Sequence, residues 1–249
     1  MHIQWIVTDD DIAKLHAFAE WHENNPFVQR RIKHNLNADK KPVTREQFWK
    51  VHVGCLLTTQ QRSGPNSSVS RFMASPWRLT FAACSAADDA EAFCYKALKQ
   101  FGGFRRSTII SQEVAINLAF LQSGGWTKIR KCLESVRLGN DAETERQAAE
   151  FLADSLKGIG PKQSRNLLQW LGLSQFEVPI DSRITSWLND FGFPLKLTAH
   201  ALSDRNYYDF VSAGFQQLSQ AAGLSPCVLD AMIFSSYDGD AWTEANATG

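Results

Sequence analysis

Leu156-Lys157-Gly158-Ile159-Gly160-Pro161-Lys162, followed by Val178-Pro179-Ile180-Asp181, decides how this chain is read. The first stretch joins two apolar stripes of helical spacing: Ala149, Leu152, Ala153 and Leu156 before it, and Leu167, Leu168, Trp170 and Leu171 after it. Two glycines permit positive φ and a close backbone approach, while Ile159 between them can point inward as an anchor. Pro161 suits the first position of the second helix, where its missing N–H costs nothing. A glycine turn that feeds a helix N-terminus presents free N–H groups, and these suit a phosphate oxygen.

Working outward, helical periodicity dominates. Residues 11–21 place Ile12, Leu15, Phe18 and Ala19 on one side. Asn25-Pro26 interrupts, and 35–42 reads as a polar loop. Thr44-Arg45-Glu46-Gln47 has the form of a capping box and opens a helix through Phe48, Val51, His52, Cys55 and Leu56 towards Thr59. Ser63-Gly64-Pro65-Asn66 then breaks the chain. Further helices are expected at 67–74, 88–102, 111–121, 125–136, 143–157, 161–171, 182–191, 204–222 and 225–235. Alternating strand patterns with hairpin turns are essentially absent, so the expected class is all-α. The tail over 238–249 reads as frayed.

Composition sets the outer bounds. Hydrophobic residues make up 44% of the 249 and charged residues 21%, an ordinary globular balance. Asp9, Asp10 and Asp11 stand where a secretory apolar stretch would continue, and no apolar run approaches the ~20 residues that cross a bilayer. The expectation is a soluble chain in the cytoplasm, with nucleoid association if bacterial and no membrane partner. Five scattered cysteines (55, 84, 94, 132 and 227) include no Cys-x-x-Cys pair, which removes zinc-ribbon and thioredoxin-like readings and suits a reducing compartment. Net charge is zero, but its distribution is uneven. Residues 62–131 hold ten basic and four acidic side chains, whereas 184–249 hold two basic and seven acidic. Such asymmetry suits one face turned to phosphates, or equally charges decorating several exposed helix faces.

The register filled by Ala153, Leu156, Gly158, Ile159, Gly160, Ser164, Leu167 and Leu168 resembles the helix-hairpin-helix DNA-binding motif, with Ser164 where alanine is commoner. A Gly-x-Gly turn alone is often only a helix C-cap; the filled register is far more specific. Lys162 at the second helical position and Asp181 after Val-Pro-Ile extend the likeness to the HhH-GPD superfamily of base-excision DNA glycosylases. The resemblance is specific over 145–191 and weaker over 44–75. Taken alone, Lys162 could swing into water or meet a phosphate, and Asp181 reads as the N-cap of the helix through Ile184, Trp187 and Leu188.

The resemblance implies a double-stranded DNA partner containing a damaged or modified base, and two helical subdomains flanking a DNA-binding cleft. One would combine 1–43 with 177–249; the other, 44–176, would carry the hairpin (145–171). Lys162 and Asp181 would then face each other across the cleft. In the superfamily a lysine at this position marks members that couple base excision to strand cleavage: Lys162 would attack C1′ of a flipped-out nucleotide and form a Schiff base, and Asp181 would stabilise charge on the sugar. Gly158, Ile159, Gly160, Lys157 and Arg165 would bind the DNA backbone. Gln60, with Gln61 as its neighbour, would fill the gap left by the flipped base, although both also suit a plain polar helix terminus. No four-cysteine iron–sulfur set is present, so no cofactor is expected beyond a monovalent cation at the hairpin, and no metal site. Residues 1–43 would not accommodate the N-terminal β domain that eukaryotic-type oxoguanine enzymes carry. What remains resembles compact oxoguanine-type glycosylase/lyases, which implies an oxidised purine such as 8-oxoguanine as the base; a monomer is expected. The rival readings are a non-catalytic helix-hairpin-helix DNA-binding protein and a monofunctional glycosylase using Asp181 and water.

Overall fold

The computed structural model describes residues 4–74, 76–237 and 242–243. Among these the regular structure is helical throughout. In chain order the helices are α1 (Asp9–His22), α2 (Pro26–Arg31), α3 (Arg45–Leu57), α4 (Ser68–Met73), α5 (Phe81–Ala86), α6 (Ala90–Phe101), α7 (Ser107–Phe120), α8 (Trp126–Leu138), α9 (Ala142–Ser155), α10 (Pro161–Trp170), α11 (Ser182–Phe191), α12 (Arg205–Ala221) and α13 (Pro226–Tyr237). The all-α class read from periodicity is what the structure has. The expectation of a frayed tail over 238–249 falls largely outside the described residues.

Several helix starts follow from local chemistry. Thr44 caps α3 by accepting from the Gln47 amide, and Gln47 returns its side-chain oxygen to the Thr44 N–H, the reciprocal bond pair of a capping box. Thr8 and Asp11 do the same for α1, which therefore begins before residue 11. Asn25-Pro26, read as an interruption, instead starts α2: Asn25 accepts from the Phe27 amide and Pro26 occupies the first position. The chain continues into a π-helical turn, Ile32–Asn37, so the expected polar loop over 35–42 begins later. Short α5 carries too few periodic residues to be read from sequence. Thr80 caps it at the Ala83 amide, and its first two amides, at Phe81 and Ala82, are met by the Glu46 carboxylate.

The chain divides into two compact units, Met1–Asp39 with Ser174–Gly249, and Lys40–Leu173. The boundaries fall a few residues ahead of 43/44 and 176/177. The segment just before Thr44 belongs with the helix it precedes: Lys40 Nζ donates to the Leu173 carbonyl and its own carbonyl accepts from Arg137. Each unit has its own core. In the central unit, α3 buries Phe48, Trp49, Val53, Leu56 and Leu57 against Leu152, Leu167 and Leu168 of the hairpin helices. Each fully buried large side chain contributes about 1.5–3 kcal/mol. Gly54 lets α10 come close, because a Cβ there would lie 2.9 Å from the Trp170 ring. In the terminal unit, Leu15, Val28, Ile184, Leu188, Tyr208, Phe215 and Leu229 form the second core.

Candidate active site

The sequence placed a turn between two helices, and that turn joins α9 to α10. Leu156 and Ile159 are buried beneath it, so the isoleucine does anchor inward. Only one of the two glycines uses positive φ. Gly158 has φ +80°, whereas Gly160 is extended (φ −95°, ψ −169°) and forms the N-cap of α10, with Pro161 next. A Cβ on Gly160 would meet nothing within 4 Å, whereas one on Gly158 would sit 2.6 and 2.7 Å from the Glu113 carboxylate oxygens. Gly160 therefore leaves open space in front of the free N–H groups at the start of α10. Gly158 accommodates what lies behind the turn. Lys157 is exposed beside it.

Glu113, on α7, was not singled out by any sequence pattern. Its carboxyl is held above the usual carboxylate range by burial, which Arg106 and Lys157 oppose. The Arg106 guanidinium is 3.8 Å from Oε1, and Oε2 has no hydrogen-bond partner among the described residues.

Lys162 leaves the second position of α10 half-buried, at a helix end that carries partial positive charge. Its neighbours fix that turn. Gln163 donates to Thr58 Oγ1 (3.2 Å) and Thr59 Oγ1 (3.0 Å) at the C-terminal end of α3. Asn166 reaches Gln163 Oε1 (3.3 Å) and Cys55 Sγ (3.6 Å). Burial pushes the Cys55 thiol up to about 12, an effect that the Lys162 charge opposes. Ser164, fully buried, donates to the Pro161 carbonyl.

Arg165 requires a correction. Expected on the DNA backbone, it is 1% exposed and donates through Nη1 to the Pro161 carbonyl at 3.2 Å. A guanidinium buried in the first turn of its own helix cannot reach a phosphate in this conformation. The sequence showed only that Arg165 followed the turn, not which way it faced.

The two glutamines diverge. Gln61 donates to the Gly103 carbonyl at 2.9 Å and accepts from the Arg105 amide at 3.5 Å, so it ties the end of α3 to the loop before α7. Gln60 is exposed and has φ +56°, the one non-glycine residue in that region among those described. For a side-chain-bearing residue this costs about 1–2 kcal/mol. Such strain concentrates at functional positions.

Asp181 belongs to the terminal unit and is the N-cap of α11. Its Oδ1 accepts from the Arg183 amide (2.9 Å) and, more weakly, from the Ile184 amide (3.4 Å). Its Oδ2 accepts from Arg183 Nη2 (2.6 Å) and Nε (3.1 Å), and the Arg183 guanidinium lies 4.2 Å over the Phe234 ring. Tyr208, fully buried, fixes the approach to Asp181: its hydroxyl donates to the Val178 carbonyl (2.7 Å) and accepts from the Ile180 amide (2.8 Å). Neither partner was anticipated. Arg183 could have been suspected from Asp-x-Arg, but Tyr208 lies on α12, far along the chain.

No metal-holding group of three or more His, Cys, Asp or Glu occurs among the described residues, and no helix there is long and apolar enough to cross a membrane. The five cysteines are free thiols.

No protein-family model matches the sequence, and no curated protein matches it either. Solved structures do. The 8-oxoguanine DNA glycosylase of Thermotoga maritima is similar at TM-score 0.63 and 16% identity, over 94% of this chain and 99% of that one. The Methanocaldococcus jannaschii 8-oxoguanine DNA glycosylase gives 0.63 and 17%, over 93% and 95%. The M. jannaschii 8-oxoguanine glycosylase/lyase in complex with a 15mer DNA containing 8-oxoguanine gives 0.62 and 16%, over 92% and 100%. The likeness spans nearly the whole of each chain, and at this identity it is a likeness of fold.

Proposed function

We propose that this chain is a DNA glycosylase with associated abasic-site lyase activity, and that it excises an oxidised purine of the 8-oxoguanine kind from double-stranded DNA. The observation that carries the reading is Lys162 at the second position of α10, directly behind a glycine turn shaped for a phosphate, in a fold whose solved likenesses are 8-oxoguanine glycosylases. A protein that only held DNA would need the turn and not the lysine.

In this mechanism the turn binds the backbone beside the lesion through the amides at the start of α10, with Lys157 adding charge. The target nucleotide leaves the stack, because C1′ is inaccessible within it. Gln60, strained and exposed, occupies the gap and offers its amide to the orphaned base. The neutral Lys162 amine attacks C1′ as the C1′–N bond breaks, and the base departs with the bonding pair. Ring opening gives an iminium, removal of a C2′ proton expels the 3′ phosphate, and hydrolysis restores the amine. Asp181 stabilises positive charge developing on the sugar. With its two oxygens already accepting from Arg183 and the α11 N-terminus, it is suited to that task more than to collecting a proton from water. This favours the lysine route over the water route.

A monovalent cation at the hairpin fits one feature: Glu113 Oε2, buried behind Gly158 and without a hydrogen-bond partner among the described residues, would serve as its counter-charge. When bound, such a cation would supply attraction for phosphate.

Borohydride trapping on duplex DNA with 8-oxoguanine or an abasic site opposite cytosine tests the reading. A covalent protein–DNA adduct is expected. Base release with no adduct would transfer the chemistry to Asp181 and water, and no base release across a panel of oxidised purines, oxidised pyrimidines and hypermodified bases would leave only a DNA-binding protein.

A further inference from the structure

Beside the hairpin turn, one asparagine side chain holds both polar backbone atoms of a single residue. Asn117, 1% exposed on α7, accepts from the Lys157 N–H through Oδ1 (2.8 Å) and donates through Nδ2 to the Lys157 carbonyl (2.9 Å). A peptide N–H can only donate and a carbonyl can only accept, so this pair fixes which end of the amide is nitrogen. The other Nδ2 hydrogen is directed at His52 Nε2, 2.9 Å away on α3. That ring nitrogen must therefore be the bare acceptor, and the ring proton sits on Nδ1, which meets no partner among the described residues. His52 is fully buried, and the groups facing it are uncharged: the Phe48 and Trp49 rings on its own helix and Asn117 from α7. Burial pushes its pKa down to about 3, so the acceptor persists at neutral pH.

Lys157 is the residue before Gly158, where the chain turns into positive φ. Holding both polar atoms of residue 157 fixes the direction in which the backbone enters the turn. It therefore also fixes where the amides of the turn, from Gly158 to Gly160, point. We propose that Asn117, aligned by the bare Nε2 of His52, is a positioning residue that sets the affinity of the turn for DNA phosphate without touching DNA. The inference rests on the proposed DNA-binding role of the hairpin. Its structural half does not.

The experiment therefore has a DNA-free arm. In wild-type protein, imidazole nitrogen NMR should show His52 protonated at Nδ1 and bare at Nε2, with no titration between pH 5 and 8. In Asn117→Ala, the Lys157 amide should lose hydrogen-exchange protection while the α9 interior keeps its own. A His52 ring protonated at Nε2, or unchanged Lys157 protection in Asn117→Ala, overturns the proposal.

In the DNA arm, binding is measured on duplex carrying a tetrahydrofuran abasic analogue, and base release under single-turnover conditions. Asn117→Ala should raise Kd about tenfold, the scale of two net hydrogen bonds. Excision at saturating protein should stay within about twofold, because Lys162 rides on α10, which Gln163 ties separately to Thr58 and Thr59. Should Asn117→Ala fail to fold, His52→Gln and His52→Leu take its place. Glutamine can still accept from Nδ2 and should bind DNA more tightly than the leucine variant; equal affinities overturn the proposal. Wild-type affinity in Asn117→Ala also overturns it, whereas wild-type protein that binds no duplex at all removes the functional reading beneath it.

Discussion

Gly158 stands directly over Glu113, with the position of its missing Cβ 2.6 and 2.7 Å from the two carboxylate oxygens, while the Cβ position of Gly160 is empty. The two glycines of one turn are thus needed for different reasons. Gly158→Ala should destabilise the fold by about 1–2 kcal/mol from φ alone, and more from the contact with Glu113. Gly160→Ala should leave thermal stability nearly unchanged yet weaken duplex binding, because the methyl would occupy the space a phosphate oxygen needs. Thermal unfolding and Kd for the same pair of variants check this, and a loss of Tm in the Gly160 variant would contradict it.

Lys162→Gln keeps the length and polarity of the side chain at the start of α10 but removes the nucleophile. Borohydride-trapped adduct should vanish while Kd for abasic-analogue duplex changes only a few-fold, as for one lost cation at a phosphate surface. An adduct that survives would assign the Schiff base to another amine.

Asp181→Asn separates cap from charge, since asparagine caps as well as aspartate. Stability should change little, whereas single-turnover base release should slow by ~100-fold or more. Asp181→Ala should lose both, with about 1 kcal/mol of stability gone as well. Equal base-release rates in wild type and Asp181→Asn would end the electrostatic assignment.

At the end of α3, Gln60→Gly should relieve the φ +56° strain and raise stability by about 1 kcal/mol while slowing excision from duplex more than binding to single strands. Gln61→Ala should act on stability, through its lost bonds to Gly103 and Arg105. The opposite pattern would move the gap-filling role to Gln61.

His52 carries a pH dependence whose sign follows from burial. Its pKa is about 3 in the folded chain and near 6.5 when unfolded, so between those values the unfolded chain binds the extra proton. Stability should fall as pH drops from 6.5 towards 3, with a contribution of about 1.4 kcal/mol per pH unit. Urea unfolding at pH 7, 6 and 5 should show this extra slope in wild type and its loss in His52→Gln. Identical slopes would mean the ring protonates in the folded protein.

The helical class, most helices and the hairpin register were legible because they are local. Apolar spacing, Thr44 with Gln47, and a proline after a glycine turn all act within a few residues, and the structure repeats them at α3, α9 and α10. Six-residue α2 and α5 escaped, unlike α4 of the same length, because neither follows a chain-breaking stretch like Ser63-Gly64-Pro65-Asn66; their starts rest on the caps Asn25 and Thr80, with the distant Glu46 adding to the second.

The sequence by itself pointed to the residues proposed to do the chemistry: a lysine at the second helical position after a glycine turn, and an aspartate after Val-Pro-Ile. Only tertiary structure decided what surrounds them. It turned Arg165 inward, separated Gln60 from Gln61, and brought Glu113 behind the turn, Asn117 beside it and Tyr208 onto the approach to Asp181. Apart from that of Arg165, those contacts join residues tens of positions apart, where side-chain direction depends on how helices pack, and no local spacing in the chain encodes it.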